Sequence, residues 1–96
     1  MIINITKFGT VFISRQDGKN DYTAFLPTLE NIDEHEDILV DFEGVSTFSP
    51  SWGDEFLTPL QKKFGDRLSL KNTSNPSVAL TIETLEKING SEFKKT

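Results

Sequence analysis

Two serines and two carboxylates stand close together near the middle of the chain, at Ser49, Ser51, Asp54 and Glu55. A hydroxyl at the start of a helix can satisfy free backbone N–H groups, and Ser51 followed by Asp54 fits a capping-box pattern. The same hydroxyl can instead carry a phosphate, which adds about −1.5 to −2 charges. The spacing therefore predicts a helix that opens near Ser51, with the Ser51 hydroxyl as a helix cap in the first place and as a phosphate acceptor in the second.

A second group of polar residues stands at the ends of two predicted strands. Asp41 closes the apolar run 38–40, and an ionised carboxylate there needs hydrogen-bond donors. We expect Asp41 to accept N–H groups of its loop and Gly44 to supply the turn; a ligand or partner contact is the alternative. Ser14 could cap the following segment, and Arg15 could pair with an acidic neighbour or contact an anion or a partner.

The chain has few of the residue types and motifs that common catalytic sites require. The chain has no Cys and one His, which excludes thiol catalysis, Cys-ligated zinc and multi-histidine metal sites. A Ser-His-Asp triad would depend on His35, which lies in an acidic segment without a G-x-S-x-G elbow to serve. No Gly-rich phosphate loop or calcium-loop spacing occurs. We therefore expect a non-enzyme without cofactor or metal.

Length and charge narrow the class further. Ninety-six residues suffice for one domain, predicted over residues 1–90 with a flexible tail at 91–96. The balance of 10 basic against 15 acidic residues gives a net charge of −5, which argues against nucleic acid as a partner. The longest apolar runs have three residues, and the first ten lack the features of a signal peptide. We expect a cytoplasmic protein with no membrane partner.

These residues must be positioned by strands and helices that the apolar pattern predicts. Strands at 2–5 and 11–13 flank the turn Gly9-Thr10 and suggest a hairpin. Asp17–Asn20 reads as a turn before a first helix that contains Pro27. The run 38–42 suits a strand buried on both faces.

The second half of the chain continues the alternation. The second helix starts near Ser51, is interrupted by Pro59 and stops at Gly65. A strand at 68–70 and a helix from Pro76 to Asn89 follow. The β-β-α-β-α-β-α order predicts an α/β fold with a mixed four-stranded sheet and helices packed on it.

Three short motifs occur in the order found in one family: Ile13-Ser14-Arg15, Asp41-Phe42-Glu43-Gly44-Val45 and Asp54-Glu55-Phe56. With the element order, they make the chain resemble bacterial STAS-like proteins related to anti-sigma factor antagonists. The resemblance implies a non-catalytic regulatory module that binds a protein, such as a histidine-kinase-like ATPase, and is switched by serine phosphorylation. When the chain is aligned on Asp41, the position that is phosphorylated in the antagonists is Pro50, which has no hydroxyl. Ser51 is therefore the first candidate phosphosite and Ser49 the second.

The predicted partner-binding surface lies around the start of the second helix. Phe48 and Trp52 flank the loop with Pro50 and could expose an apolar patch. The full set of predicted partner contacts is Phe48, Ser49, Ser51, Trp52, Asp54 and Glu55. Two other functions remain open: a small-ligand or nucleotide sensor that uses the same loop, and a homo-oligomer, such as a homodimer, formed through a sheet edge or an apolar helix face.

Overall fold

The computed structural model describes all residues 1–96 and consists of six strands and three α-helices. In chain order these are β1 (Ile2–Asn4), β2 (Val11–Phe12), α1 (Arg15–Glu30), β3 (Ile38–Asp41), β4 (Thr47–Phe48), α2 (Pro50–Phe64), β5 (Leu68–Lys71), α3 (Pro76–Asn89) and β6 (Lys94–Lys95). Short 3₁₀ turns at Ile5–Phe8 and Gly65–Arg67 follow β1 and α2. None of the helices combines the length and apolar character that crossing a bilayer requires.

The main sheet has the order β1-β3-β5-β6, and all of its neighbouring strands are parallel. Each connection moves the chain one strand in the same direction, and right-handed crossovers then place the three helices on one face of the sheet. Burial alternates accordingly: Ile3, Val40 and Leu70 are buried in one cross-strand row. Leu39 and Asp41, on the other face of β3, are only half-buried. The prediction that this strand is buried on both faces is therefore wrong.

The N-terminal strands differ most from the prediction. β1 pairs with β3 and β2 pairs with β4, so the predicted hairpin does not form. The 3₁₀ turn at Ile5–Phe8 buries Ile5 completely and leads the chain past the end of β1. The α/β class and the four-stranded sheet are confirmed, but the sheet is parallel throughout and its fourth strand is β6, because β2 forms a separate two-stranded sheet with β4.

α1 begins earlier than its pattern predicts. Asp17–Asn20, predicted as a turn, lies inside the helix, and Gly18 is buried against α2. A Cβ atom at Gly18 would lie 2.7 Å from the Trp52 carbonyl oxygen, so only glycine fits this contact without displacement. Pro27 lies in the last turns of α1, and the helix continues past it to Glu30.

The ends of α2 and α3 are determined by residues at the ends themselves. α2 continues through Pro59 and ends at Gly65, whose φ of 54° lies in the left-handed region, as predicted. Asn75 caps α3 by accepting the N–H groups of Ser77 and Val78. α3 then ends at Gly90, also as predicted.

Residues 91–96, predicted as a flexible tail, carry β6 in this structure. Phe93 is buried, and its N–H group donates to the Glu86 carboxylate at 2.8 Å. Lys95 Nζ contacts the same carboxylate at 2.6 Å. Burial opposes ionisation of Glu86, but these contacts from Lys95 and Phe93 hold its pKa below the ordinary value. The segment thus packs against the edge formed by β5.

Candidate functional site

The opening of α2 is organised by Ser49. Its Oγ accepts the N–H of Trp52 at 3.2 Å and donates to the Ile13 carbonyl oxygen at 2.6 Å. Ser49 therefore caps α2 and ties it to the segment after β2. The predicted capping box at Ser51 and Asp54 is wrong: Ser51 lies within the first turn of the helix and is half-buried.

Phe48 and Trp52 are core residues, each 1% exposed, and cannot form the predicted apolar patch. The Trp52 ring stacks on Phe56 with 4.8 Å between centroids and meets the edge of Phe12 at 4.7 Å. These aromatic contacts pack the first turn of α2 against β2 on the side that faces the core. The packing fixes the position of the site but leaves neither ring available to a partner.

The apolar residue exposed beside this turn is Ile13, with 60% of its surface accessible. Pro50, at the first position of α2, is also exposed, and it directly follows Ser49, whose hydroxyl donates to the Ile13 carbonyl oxygen. From the sequence, Ile13 was predicted only to belong to a strand and to a family motif, and not to a binding surface. The alternation around buried Phe12, which turns both neighbours of that residue outward, was the signal that could have identified it.

Arg15 joins the openings of α1 and α2 by ion pairs. Its Nη1 lies 2.9 Å from Asp54 Oδ2 and 3.3 Å from Glu55 Oε1. The hydrogen bond from Arg15 holds the pKa of Asp54 below its ordinary value, against the effect of burial. Both carboxylates raise the pKa of Arg15. Ser14, one residue earlier, caps α1 by accepting the Asp17 N–H at 3.0 Å.

Asp41 and Gly44 shape the loop after β3. Asp41 Oδ1 accepts the Asn72 side-chain amide at 2.8 Å and the Glu43 N–H at 2.9 Å. These two hydrogen bonds, with that of Asn72 the larger cause, hold the pKa of Asp41 below its ordinary value. Gly44 has φ 85°, and a Cβ atom there would lie 3.1 Å from Thr6 Cγ2. The Glu43 hydrogen bond is the loop contact expected from the sequence, whereas the Asn72 hydrogen bond, from the segment after β5, was not predicted. Neither involves the opening of α2.

The structure thus brings together only part of the predicted site. We call the following residues the opening surface: Ile13, Arg15, Pro50, Ser51, Asp54 and Glu55. Ser14 and Ser49 support it from the capping positions, Phe48 and Trp52 lie beneath it, and Asp41 and Gly44 belong to a separate loop.

A cavity of about 550 Å³ lies at the other end of α2. It is bounded by the C-terminal parts of α2 and α3 and by residues 91–94, with Thr58, Asn89 and Phe93 among its lining residues. None of the predicted site residues lines this cavity. Two hydrogen bonds relate the cavity to the opening surface: the Asn89 side-chain amide donates to the Thr58 hydroxyl, and that hydroxyl donates to the Asp54 carboxylate.

The parallel sheet with its helices, and the path of the chain from β3 through a loop and β4 to the capped α2, define a small α/β domain consistent with a STAS-like fold. A family model described as a STAS-like domain of unknown function (DUF4325) matches residues 25–78, more than half of the chain. The chain therefore belongs to this family. No curated protein and no solved structure gave a match.

Proposed function

We propose that this chain is a non-catalytic regulatory module that binds a protein partner through the opening surface. The observation that carries the proposal is that Ile13 and Pro50 are both exposed at the first turn of α2, whereas the hydrogen bonds of Ser49 hold this turn in place. Related antagonists suggest a histidine-kinase-like ATPase as the partner. The matched family is described as of unknown function, so the regulatory role is proposed by analogy with those antagonists, which resemble this chain in fold.

The chemistry of the opening surface supports protein binding. Protein interfaces combine a buried apolar centre with a polar rim that stays in contact with water. Ile13 and Pro50 supply the apolar part, and the Arg15, Asp54 and Glu55 cluster supplies charged groups beside it. Because Ser49 fixes the helix cap and Trp52 fills the space below, little ordering would accompany binding, and preorganisation favours affinity.

Phosphorylation of Ser51 would provide the switch. Ser49 makes the structural hydrogen bonds of this turn, so the half-buried Ser51 hydroxyl is not needed for the cap. A phosphate on Ser51 would gain from the positive end of α2 but stand near Asp54 and Glu55 in the same turn. It would compete with both carboxylates for Arg15 and so change the charge of the opening surface.

The experiment measures binding of purified histidine-kinase-like ATPases by calorimetry. Ile13→Asp should weaken binding at least tenfold, because it places a charge in the apolar centre. Ile2→Asp is the matched control, since Ile2 is 62% exposed on β1 and lies outside the opening surface. Ser51→Glu should weaken binding and Ser51→Ala should not. Equal affinities for the Ile13 and Ile2 variants would refute the proposed surface.

A second candidate function is small-ligand binding in the cavity at the C-terminal end of α2. Its volume of about 550 Å³ is within the usual range of roughly 300–1,000 Å³ for ligand sites. A thermal-shift screen of metabolites tests it, since a ligand at 100 times its Kd stabilises by about 2.7 kcal/mol. Binding that survives Asn89→Leu would place the ligand elsewhere.

A further inference from the structure

α3 carries an apolar stripe that the fold leaves uncovered. Leu80 and Ile88 are 65% and 69% exposed, and Thr84 lies between them at the same helical spacing of four residues. Positions four apart follow one another along the same face of a helix. The other exposed large apolar residues all lie in the N-terminal segment, at Ile2, Val11 and Ile13. The α3 stripe is therefore an apolar surface apart from the opening surface, and its Ile88 also lines the cavity at the C-terminal end of α2.

We propose that this stripe pairs with the same stripe of a second copy, with the two α3 helices antiparallel about a two-fold axis near Thr84. Leu80 of each copy then packs against Ile88 of the other, because residues equally far from the axis on opposite sides meet. The Thr84 hydroxyl already donates to the Leu80 carbonyl oxygen at 2.9 Å. It can therefore be covered without losing a hydrogen-bond partner.

Charges beside the stripe support an antiparallel second copy as the occupant. Glu83 and Lys87 form an ion pair of 3.0 Å and lie along one edge of the stripe. A two-fold axis perpendicular to the helices places the Glu83–Lys87 edge of both copies on the same side of the interface. Along that side, the order of Glu83 and Lys87 in one copy is the reverse of their order in the other. Lys87 of each copy then approaches Glu83 of the other, so each Glu83 carboxylate lies between its own Lys87 and that of the second copy, with the two carboxylates on either side of the axis. In a parallel pair, the two edges would lie on opposite sides and no such arrangement would form.

The size of the stripe sets the strength of this contact. Stable interfaces usually bury about 800 Å² on each partner. One helix face with two large apolar side chains covers less, so the dimer should be weak and form only in concentrated solution. The opening surface takes no part in it. The dimer can therefore be present whether or not the proposed partner binds.

Reciprocal charge reversal tests the contact directly. Sedimentation equilibrium and NMR diffusion are measured up to millimolar concentration for Glu83→Lys and Lys87→Glu, alone and in an equimolar mixture. Each variant alone brings four like charges together and should dimerise at least tenfold more weakly than the natural chain. The mixture should recover dimerisation, because every pair across the interface is again opposite in sign. No purely structural effect of either substitution predicts this recovery.

Lys19→Glu is the control, since Lys19 is exposed on α1 and the substitution makes the same change in net charge as Lys87→Glu. It should leave the dimer unchanged, whereas Leu80→Glu should abolish it. Circular dichroism verifies that each variant is folded. A natural chain that remains monomeric at millimolar concentration would overturn the proposal. So would a dimer that survives Leu80→Glu, or a mixture that associates no better than its components.

Discussion

Replacing Gly18 with alanine tests the contact that sets the positions of α1 and α2. The new Cβ atom would lie 2.7 Å from the Trp52 carbonyl oxygen, 3.1 Å from Trp52 Cα and 3.2 Å from Glu55 Cβ. Overpacking costs about 1–3 kcal/mol, and the upper part of this range applies because the obstacle is backbone. Alanine recovers about 1 kcal/mol through its better helix propensity. We therefore expect a net loss of about 2 kcal/mol.

The assay is thermal unfolding followed by circular dichroism. For a domain of this size, about 1 kcal/mol corresponds to about 4–8 °C, so Gly18→Ala should lower Tm by about 8–16 °C. The neighbouring exposed residue provides the control: Lys19→Ala leaves the helix contact intact and should change Tm little. If Gly18→Ala instead raised Tm, helix propensity would dominate, and the close approach of α1 to α2 would be refuted.

Three further predictions concern the cap, the last strand and the ion pair. Ser49→Ala should lower the free energy of unfolding in urea by about 1–2 kcal/mol through loss of the cap, whereas Ser51→Ala should change it by less than about 0.5 kcal/mol. Phe93→Ala should cost about 3–5 kcal/mol in the same assay, because the buried Phe93 ring anchors β6, and a negligible change would contradict this packing. Because the folded-state pKa of Asp54 is depressed, its stabilising contribution is present above the ordinary carboxyl pKa and is lost as pH falls through the folded value. Arg15→Ala should therefore reduce the loss of Tm on acidification below the ordinary carboxyl pKa, and an unchanged pH profile would refute the pairing.

The helix ends show where sequence patterns were sufficient. Gly65, Asn75 and Gly90 act through local chemistry: an amide side chain accepts two N–H groups, and glycines adopt positive φ. Such interactions need only neighbouring residues, so the chain order alone reveals them. The loop contacts of Asp41 were predictable for a similar reason, since one of its donors is two residues away.

The errors arose where distant segments decide the structure. β1 and β2 have the apolar alternation of a hairpin, but each finds a parallel partner more than thirty residues away in β3 and β4. Gly18 has the propensity of a turn residue, yet close packing on α2 places it in a helix. β6 consists of two lysines, and it forms because Phe93 is buried beside it and Glu86 binds Lys95. None of these effects can be read from local composition.

The hydrogen bonds of the two serines at the α2 opening separate the structural role of Ser49 from the regulatory role that we propose for Ser51. A phosphate on Ser49 would remove the hydrogen bond that its hydroxyl donates to Ile13 and disturb the cap of α2, so modification there would loosen the helix itself. A phosphate on Ser51 would leave both bonds in place and act through charge on Arg15, Asp54 and Glu55. A switch that must change binding while preserving the fold therefore requires Ser51. The stability difference expected between Ser49→Ala and Ser51→Ala tests this division without any knowledge of the partner.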